Sequence, residues 1–111
     1  MSRRYRTWRE AEVERLRDHP EDVPLYLDIA FEEAEKDGNW GAFMAALRTV
    51  AEARGGLGDL AEKLECSRPN LYKTLSEEGN PRLDTFGAIL HELGLRLSFQ
   101  PSEHSTITDG S

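Results

Sequence analysis

Between Ser67 and Lys73 the chain reads Ser-Arg-Pro-Asn-Leu-Tyr-Lys, residue types that at this spacing could hydrogen-bond to nucleic acid. The Arg68 guanidinium matches the major-groove edge of guanine, and the Asn70 carboxamide matches that of adenine. Lys73, one helical turn on, supplies a positive charge suited to a phosphate. Ser67 is a good helix cap, so a helix starting there begins sharply and presents its first turn outward. Pro69 is harmless in that first turn, because the N–H it lacks would have no intrahelical partner. From Cys66 to Ser76 the sequence has no acid, whereas acids crowd at Glu10 to Glu14, Glu32 to Asp37, and Glu77 and Glu78. Taken alone, the pattern fits an ordinary helical hairpin with a solvated polar face equally well.

Other chemistry finds less support. His91-Glu92 matches the first half of a zinc-protease motif, but position 95 is Leu, so the second imidazole is missing. His19, His91 and His104 fall in a linker, a helix and a tail, and no metal site or cofactor is expected. Cys66, the single cysteine, cannot form an internal disulfide, which fits a reducing cytoplasm; packing between two helices is its expected role. No glycine-rich phosphate loop or nucleophile elbow is present, and the chain is read as non-enzymatic.

The 111 residues suit one domain, and 38% hydrophobic residues suffice for one modest core. No apolar run approaches a membrane span, and the basic start Met1-Ser2-Arg3-Arg4-Tyr5-Arg6 lacks the apolar stretch of a signal peptide. A net charge of -7 excludes bulk attraction to nucleic acid, so any DNA binding must come from a locally basic edge. The same charge suits a basic protein partner.

The elements that must position Ser67 to Lys73 follow from periodicity. Thr7-Trp8-Arg9-Glu10 has capping-box spacing and predicts a short helix from Trp8 to Arg17 within an N-terminal arm, residues 1–22. Pro20-Glu21-Asp22 opens a second helix, in which Val23, Tyr26, Leu27, Ala30 and Ala34 recur on one face and Asp28, Glu32, Glu33, Glu35 and Lys36 on the other. Trp40, Phe43, Met44, Leu47 and Val50 define a third, inward-facing and closed by Gly55-Gly56. Two short helices follow, one carrying Leu57, Leu60, Ala61 and Leu64, the other running from Arg68 to Ser76 with Leu71 and Leu75 inward; together residues 57–76 form the bihelical unit. A last helix carries Leu83, Phe86, Ile89, Leu90 and Leu93. Leu95-Arg96-Leu97-Ser98-Phe99 alternates as a strand does, and a lone strand must add to a partner such as its twin in a dimer. The expected fold is all-α: about five helices around one core, with residues 23–100 as the main domain, a short C-terminal β-strand, and a disordered tail at 101–111.

Leu57 to Leu93 resembles the Cro/repressor class of helix-turn-helix domains, with a lambda-repressor-like fold. Over Tyr26 to Phe99 the chain is similar to the HigA-like addiction-module antidotes, through "AFMAALRTVAEARGG", "LAEKL", "SRPNLYKTLSEEGNP" and "LHELGLRL" in that order. The resemblance implies an antitoxin that binds double-stranded operator DNA as a homodimer and represses its own gene pair. It also implies neutralisation of a small basic toxin of the RelE/ParE-like type. By this resemblance the DNA-reading positions are Arg68, Pro69, Asn70 and Lys73, with Tyr72 against a phosphate. Gly58 opens the preceding helix, where backbone N–H groups suit a phosphate. Glu32, Glu33 and Glu35 are the candidate acidic dock for the toxin, against the plainer reading of a solvated helix face. One departure is Glu65, where the family's turn usually has Gly; a positive φ there costs on the order of 1 kcal/mol. A stand-alone regulator, and a protein-binding inhibitor that no longer reads DNA, are the alternative functions.

Overall fold

A computed structural model of the protein describes residues 7–102. Six α-helices follow one another: α1 (Trp8–Asp18), α2 (Val23–Asp37), α3 (Trp40–Ala53), α4 (Leu57–Lys63), α5 (Arg68–Thr74) and α6 (Leu83–Glu92), with a 3-10 turn at Pro20–Asp22 before α2. Local chemistry explains several of the starts. At α1 the capping box closes in both directions: Thr7 Oγ1 accepts from the Glu10 N–H at 3.0 Å, and Glu10 Oε1 accepts from the Thr7 N–H at 3.1 Å. Asn39 Oδ1 accepts from the Ala42 N–H at 3.2 Å and starts α3. The left-handed pair Gly55 and Gly56, φ 119° and 94°, turns the chain from α3 into α4.

α3 is the central helix. It buries Phe43, Met44, Leu47 and Val50, and both α1 and α2 pack on it. α1 contributes Val13 and Leu16 to the same core, α2 contributes Val23, Leu27 and Ala34, and Leu71, Leu75, Ile89 and Leu90 join from α5 and α6. Burial of leucine-sized side chains at about 1.5–3 kcal/mol each seats the short helices α4 and α5, which are too short to be stable alone.

Four expectations are corrected. The helices number six rather than about five; the one expected from Trp8 to Arg17 forms at Trp8–Asp18, one residue longer. The strand at Leu95 to Phe99 does not form: the Leu95 N–H closes α6 on the Leu90 carbonyl at 2.8 Å, and no neighbouring strand is available among the described residues. Trp40 and Leu83 stand at the first positions of their helices and overhang the core, 47% and 75% exposed, despite lying in phase with buried residues. The helix expected from Arg68 to Ser76 ends at Thr74, where Ser76 Oγ turns back to the Lys73 carbonyl at 2.8 Å. Of the tail expected at 101–111, residues 103–111 lie outside the described residues.

Candidate nucleic-acid interface

The site is built on a sharp turn between α4 and α5. The Cys66 N–H bonds back to the Ala61 carbonyl at 3.0 Å and the Leu64 N–H to the Leu60 carbonyl at 2.9 Å, which closes α4. This closure needs a left-handed residue between them, and Glu65 takes that role with φ 57°. Among the described residues it is the non-glycine residue with positive φ. The following Cys66 is half-buried and packs against the core, and Ser67 Oγ then accepts from the Asn70 N–H at 3.2 Å to start α5.

That start leaves the first turn of α5 outside. Ser67, Arg68, Pro69, Asn70, Tyr72 and Lys73 are exposed, while Leu71 and Leu75 hold the helix down. Among the described residues neither Arg68 nor Lys73 forms an ion pair, in a chain where Arg9, Arg15, Arg48, Lys63 and Arg82 all do. The acids nearest in sequence on α4 are partly occupied, Asp59 pairing with Lys63 at 3.2 Å.

Gly58 and Arg68 are brought together. A Cβ added at Gly58 would lie 2.8 Å from Arg68 Nε and 2.9 Å from Cζ, closer than real contacts permit. The bare backbone at the start of α4 is therefore the seat of the Arg68 guanidinium, which places Arg68 beside the first turn of α4 while Asn70 and Lys73 occupy the rest of the exposed surface. A cleft of about 380 Å³ between α5 and α6 is lined by Cys66, Asn70 and Thr74 and by Asp84, Thr85 and Ala88.

Two features escape sequence reasoning. The Arg48 guanidinium lies over the Tyr72 ring, 5.0 Å from its centroid, and its Nε is 3.3 Å from Glu52 Oε2. Arg9 Nη2 reaches the same carboxylate at 2.9 Å, so one carboxylate links α1 to α3, and Arg48 links α3 to α5. The i,i+4 spacing of Arg48 and Glu52 was a readable signal, but its reach to Tyr72 was not. The second feature is apolar. On α2, Leu25 and Ile29 are 62% and 47% exposed, on the same outward side as Glu32. Glu32, Glu33 and Glu35 are all exposed and, among the described residues, carry no ion pair; they sit on α2, apart from the residues of α5.

No group of His, Cys, Asp and Glu among the described residues could hold a metal ion. No described helix is long and apolar enough to cross a membrane.

Residues 9–101 match a protein family described as "Probable addiction module antidote protein". A curated protein of Haemophilus influenzae with no assigned function is 33% identical over 82 residues, covering 74% of this chain and 79% of the relative. No solved structure matches the chain significantly. The match spans α1 through the segment after α6, and with it the whole bihelical unit: the chain belongs to the family of addiction module antidote proteins.

Proposed function

We propose that this antidote acts in two ways, as a sequence-specific DNA-binding autorepressor and as a direct inhibitor of its toxin. The observation that carries the DNA reading is the exposed, acid-free first turn of α5, with Arg68, Asn70 and Lys73 free of the chain's own described carboxylates. In this reading α5 enters the major groove of double-stranded operator DNA as the second helix of a Cro/repressor-type helix-turn-helix. Asn70 and Arg68 contact base edges, Lys73 and Tyr72 contact phosphates, and the Arg68 guanidinium is aimed by its seat on Gly58. A homodimer then presents two such helices to half-sites about one DNA turn apart, roughly 34 Å.

The toxin reading rests on α2. An outward surface on which Leu25 and Ile29 lie among Asp28, Glu32, Glu33 and Glu35 offers apolar area within a ring of negative charge. That combination suits a small basic toxin, here of the RelE/ParE-like type, better than solvent alone. The resulting protein is HigA-like in both activities.

The test is a footprint on the DNA upstream of the gene. Arg68→Ala is expected to weaken operator binding by roughly 1–3 kcal/mol and relax one base position. Lys73→Ala is expected to lower the salt slope by about 1 without altering sequence preference. An absent footprint would leave the protein-binding inhibitor, a reading the net charge of -7 and the carboxylate of Glu65 favour. Co-purification with the product of the neighbouring gene, lost on Glu32→Lys with Glu33→Lys, tests the toxin surface; retention of the complex in that double variant would move the dock elsewhere.

A further inference from the structure

The segment after α6 carries a surface that no other described residue covers. From Leu95 to Ser102 the backbone runs without helix, turn or bend, and beyond the Leu95 N–H no backbone group of residues 96–100 bonds to backbone among the described residues. Its side chains alternate, Leu95, Leu97 and Phe99 against Arg96 and Ser98. Leu95 is half-buried on the core, but Leu97 is 45% exposed and Phe99 91% exposed. An apolar face thus begins on the body of the protein and continues into solvent, beside a row of unpaired backbone donors and acceptors. Such an edge is a template for strand pairing.

We propose that residues 95–99 of two copies pair antiparallel about a two-fold axis at Leu97. This names the contact through which the dimer proposed above forms, and rests on that reading's need for two copies. The pattern is complementary to itself in this register. Leu97 faces Leu97, each Leu95 faces a Phe99, and each Arg96 faces a Ser98, so apolar meets apolar and no like charges oppose. An axis at Arg96 would set two guanidiniums against each other. An axis at Ser98 would bring Pro101, which has no N–H, into the ladder opposite Leu95. An odd shift would place the polar residues of one strand on the apolar face of the other. Pairing also satisfies the free backbone groups and covers Phe99. A ribbon this short gives a weak dimer, which two half-sites of DNA would reinforce.

The experiment uses the full chain with Cys66→Ala, its melting curve checked first, and single cysteines at 96, 97 or 98. Only the residue on the axis faces its own copy, so mild oxidation should yield a covalent dimer from Leu97→Cys and little from Arg96→Cys or Ser98→Cys. Sedimentation equilibrium of the chain with Cys66 retained should show a dimer, dissociating at least roughly tenfold more readily with Leu97→Arg while helix content is unchanged. A monomeric protein at hundreds of micromolar, an undisturbed dimer in Leu97→Arg, or preferential crosslinking at 96 or 98 would overturn the proposal. Failure of the DNA reading looks different: the crosslinked Leu97→Cys dimer would form and leave no footprint. A protein that leaves a footprint while Leu97→Arg remains dimeric would retain the DNA reading and lose the pairing.

Discussion

Glu65 holds a left-handed backbone, φ 57°, at the turn on which the candidate interface depends. For a residue with a Cβ this conformation costs roughly 1–2 kcal/mol, through the clash of Cβ with its following carbonyl oxygen. The Glu65 side chain is exposed and makes no hydrogen bond or ion pair among the described residues, so replacing it forfeits little. Glu65→Gly removes the clash but adds about 0.5–1 kcal/mol of unfolded-state entropy. The net gain is about 0.5–1 kcal/mol, or roughly 2–5 °C in Tm for a domain of this size. Glu65→Asn, which tolerates the left-handed region, should fall between. Glu65→Ala keeps the Cβ and should lie within about 0.5 kcal/mol of the starting protein. Thermal and urea unfolding followed by circular dichroism rank the four proteins. A Gly variant no more stable than the Ala variant would refute the reasoning, because the two differ in the strain being tested. A second readout follows from charge. Against a phosphate about 8 Å away in water, one carboxylate repels by about 0.5 kcal/mol, so Glu65→Gly and Glu65→Asn should both tighten operator binding two- to threefold at low salt. The gain should fade as salt rises.

Gly58→Ala should separate stability from binding. Alanine in a helix is favoured over glycine by about 1 kcal/mol, so the fold should be as stable or more so. The added methyl shifts only the end of the flexible, exposed Arg68 side chain, so operator affinity should fall, but by less than for Arg68→Ala. An affinity unchanged in gel-shift titration would mean that Arg68 does not need this seat. Tyr26 gives a pH test: burial holds its phenol above the ordinary value, against the opposing hydrogen bond from Thr49. Because the folded pKa is the higher one, the stability it contributes is complete below about pH 10 and is lost as pH rises through the folded value. Phenolate absorbance of the folded protein should therefore show a late-titrating phase, and Tyr26→Phe should abolish it. A titration curve unchanged by Tyr26→Phe at its high-pH end would contradict the burial argument.

The sequence by itself determined what is local. Thr7 with Glu10, Asn39 and Ser67 each satisfy a backbone N–H within three residues, so the starts of α1, α3 and α5 were legible from residue types and spacing alone. The exposed first turn of α5 was legible too, because one face of a short helix committed to Leu71 and Leu75 leaves the other outside, whereas the left-handed turn at Glu65 was suggested only by the resemblance to a family that usually has Gly there. Tertiary structure decided whatever depends on two segments distant in sequence. The seating of Arg68 on Gly58 and of Arg48 over Tyr72 depends on how helices cross. The exposure of Trp40 and Leu83 shows the same limit from the other side: periodicity gives the direction a side chain points, but not whether a neighbouring helix extends far enough to cover it. The alternation at 95–99 encodes a capacity to pair, and a strand exists only when a second backbone supplies the hydrogen bonds.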